Sequence, residues 1–222
     1  MVFDLHVHTS AHSPCGRDPL PAMVWAARDA GLAGLAVTDH DYVRSVDGVR
    51  AELDGRFAEV TVIPAVEVTC FGRDGVVGHV IVFGDNPPPG PWEDAAAVAK
   101  RVRKSGGCLV LAHPFRLGDG AHLLAEELCV DAIEVVSCNV DHQASEEARA
   151  LARELHLPAV AGSDAHQRAL VGRYGTRFER PVLSAADVAA EIRAGRVTPV
   201  ALCGGTPVSE GGGACRTYTT LR

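Results

Sequence analysis

Short apolar runs alternate with longer stretches of helical periodicity along nearly the whole chain, and that change of period is the main guide to secondary structure. The runs predict strands at Val2–Val7, Gly34–Thr38, Val60–Ile63, His79–Phe83, Cys108–Ala112, Ala132–Val136, Ala159–Ala161 and Thr198–Leu202. The periodic stretches predict helices at Pro21–Ala30, Val46–Phe57, Glu93–Ser105, Ala121–Leu128, Ser145–Leu155 and Ala185–Ala194. Gly31, Gly106 and Gly195 follow three of these helices, where a left-handed closing residue is wanted, and Ser184 precedes the last as an N-cap. Strands alternating with helices imply parallel pairing through right-handed crossovers. About seven such units in 222 residues fit a small βα barrel, with a doubly wound open sheet as the competing architecture.

The segment Pro87–Pro91 reads as a stiff loop, because strand–helix alternation resumes after it. Residues 204–222, with Gly211, Gly212 and Gly213, lack an apolar period and read as a surface tail, partly disordered. A single domain over residues 1–203 is expected, long enough to bury a substantial core.

Metal-binding residue types recur just after the apolar runs. His6 and His8 close the first, and Thr38-Asp39-His40, Glu67, His79, His113-Pro114 and Ser163-Asp164-Ala165-His166 come later. Residues two apart on a strand share a face, so His6 and His8 can grip one ion. A single strand-end histidine means little, since any half-buried edge strand produces the same string. Six such segments point to a site for more than one metal. They also favour the barrel, which brings the ends of first and last strands together where an open sheet would spread them apart.

A net charge of −7 with 5% aromatic residues argues against an extended nucleic-acid footprint, which wants a basic stripe. Every basic residue except Lys100 and Lys104 is arginine, so a lone arginine says little about phosphate binding. The N-terminus has no basic region leading into a long apolar stretch, and no run approaches the ~20 apolar residues of a membrane span. Seven scattered cysteines without a CxxC pair fit reduced cytoplasmic thiols better than a disulfide framework.

The ordered set His-x-His, Thr-Asp-His, strand-end Glu, isolated His, Ala-His-Pro, Ile-Glu-Val and Gly-Ser-Asp-Ala-His resembles the PHP (polymerase and histidinol phosphatase) superfamily over most of the chain. The resemblance implies an α/β fold, a distorted (β/α)7 TIM-like barrel in a single domain, with two or three divalent ions (Zn, Mn or Fe). It implies His6, His8, Glu67 and Asp164 at a first metal, and His79 and His113 at a second, bridged by Glu67. His40 and His166 would hold a third, with a ligand from the loop after His8. That ligand is commonly Asp in the family; here the loop offers His12, Cys15 and Asp18, and the choice stays open. Three residues after Glu134, where the family often has a ligand, stands Ser137, with Cys138, Asn139 and His142 beyond. Asp4 and Asp39 are candidates to orient the adjacent histidines, and Glu134 reads as a brace.

Two cations sharing Glu67 can also share a water and lower its pKa. The implied activity is that of a metal-dependent phosphoric ester hydrolase, cytoplasmic, acting on a small phosphorylated metabolite or nucleotide. Glu67, Asp164 and His166 are the catalytic candidates; Arg116, then Arg17 and Arg173, are candidates for the substrate phosphate. The alternatives are trimming of nucleic-acid 5′ ends and amidohydrolase-like hydrolysis. Amidohydrolases often bridge their metals with a carboxylated lysine, and the two lysines here fall in a helical stretch.

Overall fold

Every residue of the first strand is buried, so it needs cover on both faces, and that need sets the architecture. A computed structural model of the chain describes residues 1–72, 75–84, 95–118, 120–202 and 218–220. In chain order the elements are β1 (Val2–Val7), α1 (Leu20–Asp29), β2 (Gly34–Val37), α2 (Val46–Leu53), β3 (Thr61–Pro64), β4 (Val66–Gly72) and β5 (Gly75–Phe83). Next come α3 (Ala95–Lys104), β6 (Cys108–Ala112), α4 (Ala121–Leu128), β7 (Ala132–Glu134), α5 (His142–Glu154) and β8 (Ala159–Val160). The last are β9 (Tyr174–Phe178), α6 (Ala185–Arg193), β10 (Val197–Leu202) and β11 (Tyr218–Thr220).

The strands form two sheets, ordered β11-β10-β9-β1-β2-β3 and β4-β5-β6-β7-β8. Phe3, Ile63 and Phe178 from the first sheet and Ile81, Val110 and Val160 from the second share a central apolar cluster. Leu20, Met23 and Val24 of α1 and Val49 of α2 cover the outer face of the first sheet. Val98 of α3, Leu124 of α4 and Leu151 of α5 cover that of the second. Helix α6 puts Val188, Ala189 and Ile192 into the central cluster. Its Arg193 binds the Gly106 and Gly107 carbonyls and the Asp131 carboxylate, just ahead of β6 and β7. That places α6 at the opposite end of these strands from His113.

The expected closed ring of parallel strands is not formed. β4, β5 and β6 pair antiparallel, as do β1 with β9 and β9 with β10. The two sheets meet at seams marked by isolated bridges, His40–Glu67 and Val7–Ala165. Beside the second seam the Thr176 hydroxyl accepts from the Ala161 N–H and donates to its carbonyl, doing for one side chain what a ladder would do. β4 and β9 are strands beyond those the apolar runs predict. In β4 the signal was present as an alternation, with Val66, Val68 and Cys70 facing the outer cluster and Glu67 between them. His79 lies within antiparallel β5, opposite Thr69 and Ala112, rather than after a strand.

All six predicted helices form, and Gly31, Gly106 and Gly195 take positive φ of 71°, 80° and 66°. Within the segment read as a tail, Tyr218–Thr220 pairs antiparallel with β10. Residues 203–217 and 221–222, and with them Cys203 and Cys215, lie outside the described residues, as does Pro87–Pro91. Among the described residues no helix is long and apolar enough to cross a membrane.

A bulge between Asp4 and Val7 in β1 decides where the strand-end histidines point. Phe3 and Leu5 face the central cluster, yet Val7 faces the outer one. The extra residue switches the phase of the strand, so that His6 and His8 come after Leu5 onto the inner side. Asp4, fully buried, ties this bulge down: its carboxylate accepts the N–H groups of His6, Ser163 and Gly172. Asp4→Asn turns one accepting oxygen into an amide that faces N–H donors. Urea unfolding should show a loss of about 2–3 kcal/mol at unchanged m-value; an unchanged midpoint would remove Asp4 from this role.

Candidate metal centre

Glu67 stands at the centre, fully buried, on the seam between the sheets. Its Oε2 lies 3.1 Å from His8 Nε2, 3.2 Å from His6 Nε2 and 3.4 Å from His40 Nδ1. Its Oε1 lies 2.8 Å from His113 Nε2 and 3.8 Å from His79 Nδ1. Asp164 comes in from the other seam, its Oδ1 3.2 Å from His8 Nε2, 3.5 Å from His6 Nε2 and 3.6 Å from His166 Nδ1. The eight residues predicted from the strand ends thus converge on one place. His113 and Asp164 hold positive φ of 27° and 51°, a strained conformation of the kind that collects at functional sites.

The donor set fits cations. His40 Nδ1, His79 Nδ1, Glu67 Oε2 and Asp164 Oδ1 are buried and hydrogen-bond to none of the described residues. Such orphans are expensive in a dry interior. The Nε2 atoms of His6 and His8 lie only 3.1 Å apart, which sets two lone pairs against each other unless a positive charge sits between them. The compact groups of possible ligands are His6, His8 and Glu67; His6, His113 and Asp164; His40, Glu67 and His79; and His8, Cys15, His40 and His166. They interleave more than the sequence-based division: His113 also joins His6 and Asp164, and His40 also joins Glu67 and His79.

Groups outside the cluster set the ring tautomers. His6 Nδ1 lies 3.0 Å from Glu134 Oε1, a carboxylate that also accepts the His113 N–H, so the Nδ1 proton points outward and Nε2 is left as a ligand. Ser13 Oγ donates to Asp39 and accepts from the His40 N–H, so His8 Nδ1, 3.3 Å away, is its second donor. His166 Nδ1 donates to the Asp164 carbonyl at 2.9 Å. In each ring Nε2 is left free for a cation. Asp39 also takes the Thr9 N–H and hydroxyl and the Arg44 Nε. Ser13 and the buried Arg44, itself paired with Glu52, carry no sequence signal of their own. Gly162 is required by close approach: a Cβ there would stand 2.5 Å from His6 Cβ and 3.1 Å from Glu134 Oε1.

Of the three loop candidates, Cys15 joins the donors. His12 stacks instead on Tyr42, with ring centroids 3.8 Å apart, and Asp18 accepts the Arg168 N–H. Arg116 reaches the cluster, 3.2 Å from Asp164 Oδ2. Arg17 and Arg173 are exposed, and what they fix is backbone: the Arg17 N–H donates to the His166 carbonyl, and the Arg173 carbonyl accepts from Leu202. Ser137 is buried and accepts the Asn139 N–H; the Asn139 side chain donates to the Asp164 carbonyl, and the Cys138 N–H to the Ser163 carbonyl. His142 begins α5, exposed.

Burial and charge pull the titrations apart. Burial opposes charge on His6, but Glu134, Glu67 and Asp164 outweigh it and raise its pKa well above the ordinary value. Burial likewise disfavours charge on Glu67, yet His6 and His113 hold it well below the carboxylate range. Burial lowers His79 to about 4 and also lowers His40 and His166, leaving these three as neutral donors. A neutral His166 suits a metal ligand. Burial, with Glu67 and Asp164 next, pushes the Cys15 thiol up.

Residues 142–197 match the family model described as PHP-associated. No curated protein matches the chain by sequence. Among solved structures, a two-domain protein from Bacteroides vulgatus, containing a predicted PHP-like metal-dependent phosphoesterase, superposes with a TM-score of 0.67 at 20% identity, covering 90% of this chain and 64% of that one. The chain thus spans less than two thirds of that protein. A protein from Bifidobacterium adolescentis, provisionally assigned as a metal-dependent phosphoesterase, gives 0.59 at 18% identity, covering 87% and 96%. An amidohydrolase from Chromobacterium violaceum with bound sulfate and no metal gives 0.56 at 18%, covering 74% and 87%.

Two measurements probe the centre. The unfolded chain protonates His79 near its ordinary pKa of 6.5 and the folded chain near 4, so its contribution is complete above pH 6.5 and is lost as the pH falls through about 4. Asp4, raised to about 6 by burial, contributes the opposite slope, so the comparison must be with a variant. Metal-free wild type should lose more stability than His79→Gln across that window; equal losses would contradict a neutral His79. Glu134→Gln should weaken metal affinity about 10–100-fold in competition with a chelator, and unchanged affinity would free His6 from its brace.

Proposed function

We propose that this chain, a PHP superfamily protein by its family-model match and its fold, is a metal-dependent phosphoesterase that hydrolyses the ester of a small phosphorylated metabolite or nucleotide. The observation that carries the reading is the split environment of Glu67, whose two oxygens face different sets of imidazoles. A carboxylate so placed suits a bridge between cations. His6, His8 and Asp164 would complete one site, and His79 and His113 another. Zinc, manganese or iron at these donors would lower the pKa of a water and absorb charge on phosphoryl oxygens.

The chain's own residues do the rest. Glu67 and Asp164 supply the fixed negative charge that retains the cations. Glu134 and the Asp39–Ser13 pair keep His6 and His8 turned inward. Arg116, its side chain 38% exposed and resting on Asp164, is a cation at the edge of the cluster. Neutralisation of Asp164 from within would release its guanidinium to a substrate phosphate, a bidentate match that arginine makes well. The leaving alkoxide would take its proton from solvent.

The amidohydrolase of similar fold keeps a second reading in view, namely amide hydrolysis. Lys100 and Lys104 lie exposed on α3, whose buried residues pack in the outer cluster. Neither lies where a carboxylated lysine would bridge cations, and Glu67 would take that role. The net charge of −7 disfavours long nucleic acids.

The test is a panel of phosphomonoesters, phosphodiesters, 5′-phosphorylated oligonucleotides and cyclic amides, presented to protein loaded with Mn2+ or Zn2+. Hydrolysis should appear within the first two classes. Glu67→Gln and His113→Ala should each lower it by more than about a hundredfold, beyond what loss of a mere outer partner costs. Hydrolysis of the amides alone, or none by protein with measured metal content, would sink the phosphoesterase reading.

A further inference from the structure

We propose that Cys15 is a thiolate ligand of a third metal position, and that it makes this position soft, selecting Zn2+ or Co2+ over Mn2+ and Mg2+. The inference rests on the metal-dependent reading and deepens it. It starts from the sharing of donors. His8, Cys15, His40 and His166 offer ligand atoms that all lie within 4.8 Å of one another. His8 also belongs with His6 and Glu67, and His40 with Glu67 and His79. Among the described residues that leaves Cys15 and His166 as the donors this position does not share. Without Cys15 a third ion keeps one dedicated ligand, too few to hold it against the two sites beside it.

The loop is built to deliver that sulfur. It folds back on the end of β1 through Ser13 N–H to Thr9, Gly16 N–H to Ser13 and Ser10 N–H to the Asp18 carbonyl. The Arg17 N–H donates to His166, fixing the loop to the other unshared donor. Gly16 presses on Thr9 so closely that a Cβ would stand 2.4 Å from its carbonyl carbon, so the approach is open to glycine alone. The same fold turns the rivals away, His12 onto Tyr42 and Asp18 onto Arg168.

A thiolate with imidazoles is the donor set that zinc and cobalt prefer, whereas manganese and magnesium favour oxygen. A tetrahedral zinc site spaces its donors by about 3.3–3.8 Å, so binding would draw the four together from their spread of up to 4.8 Å.

The experiment titrates full-length metal-free protein with Co2+. The last equivalent bound should bring up a thiolate-to-cobalt charge-transfer band in the near ultraviolet. Cys15→Ser should lose that band and bind one equivalent less, and Cys15→Asp should regain the equivalent without the band while binding Mn2+ more tightly than wild type. Peptide mapping after alkylation should find Cys15 protected several-fold by Zn2+ and exposed Cys129 unaffected. Cobalt binding in full with no such band and no protection would overturn the thiolate ligand and leave the metal-dependent reading standing. No cobalt bound at all would overturn both.

Discussion

A carboxylate without solvent, both of whose oxygens look at imidazole nitrogens, is the constraint on which the rest depends. Ionised carboxylates are costly to bury unless paired, and Glu67, Asp164 and Glu134 are all buried here within reach of His6. Something positive must sit among them. Those three carboxylates raise the His6 pKa well above its ordinary value against the pull of burial, which favours a proton there when no cation is bound. A cation bound here would compete with that proton for one place and expel it.

The backbone makes the same point. Among the described residues the two sheets meet at isolated bridges, His40–Glu67 and Val7–Ala165, and both bridges fall beside residues of the cluster. A continuous ladder would have drawn β3 to β4 and β8 to β1 at uniform spacing, and the inward side chains would fill the interior as they do lower down. Where the ladder stops, Glu67 and Asp164 enter from opposite sides of β1. The bulge in β1 then brings His6 and His8 round to meet them, just above Leu5. The metal-type residues thus occupy the places where strand pairing gives out.

Much of this was legible in the chain itself. The spacing of His6 and His8, and the recurrence of histidines and acids after apolar runs, sufficed to name the eight residues that converge. The six helices came from periodicity and their glycine ends. What was not legible depended on strand direction and on partners distant in sequence. An apolar run does not say which way its neighbour runs, so β5 was read as one more parallel strand and the ring as closed. Val66 to Cys70 alternates plainly, but the strand-end reading of Glu67 hid it. Ser13 and Arg44 had no pattern to betray them, because their importance lies in what Asp39 offers, 26 residues away from Ser13 in the chain.

The hydrogen bonds around Ser13 show why such inconspicuous residues matter. A serine hydroxyl has one proton to give and two lone pairs. Ser13 gives its proton to Asp39 and receives the His40 N–H, so one lone pair remains, and His8 Nδ1 stands 3.3 Å from it. That partner must arrive as a donor. The tautomer of His8 is therefore decided by a carboxylate it never touches, and Glu134 decides that of His6 directly. Changing either acid would leave every ring in the cluster chemically intact and yet deprive a bound cation of the lone pairs it needs. The chemistry of this centre is fixed from one layer further out than the residues that would perform it.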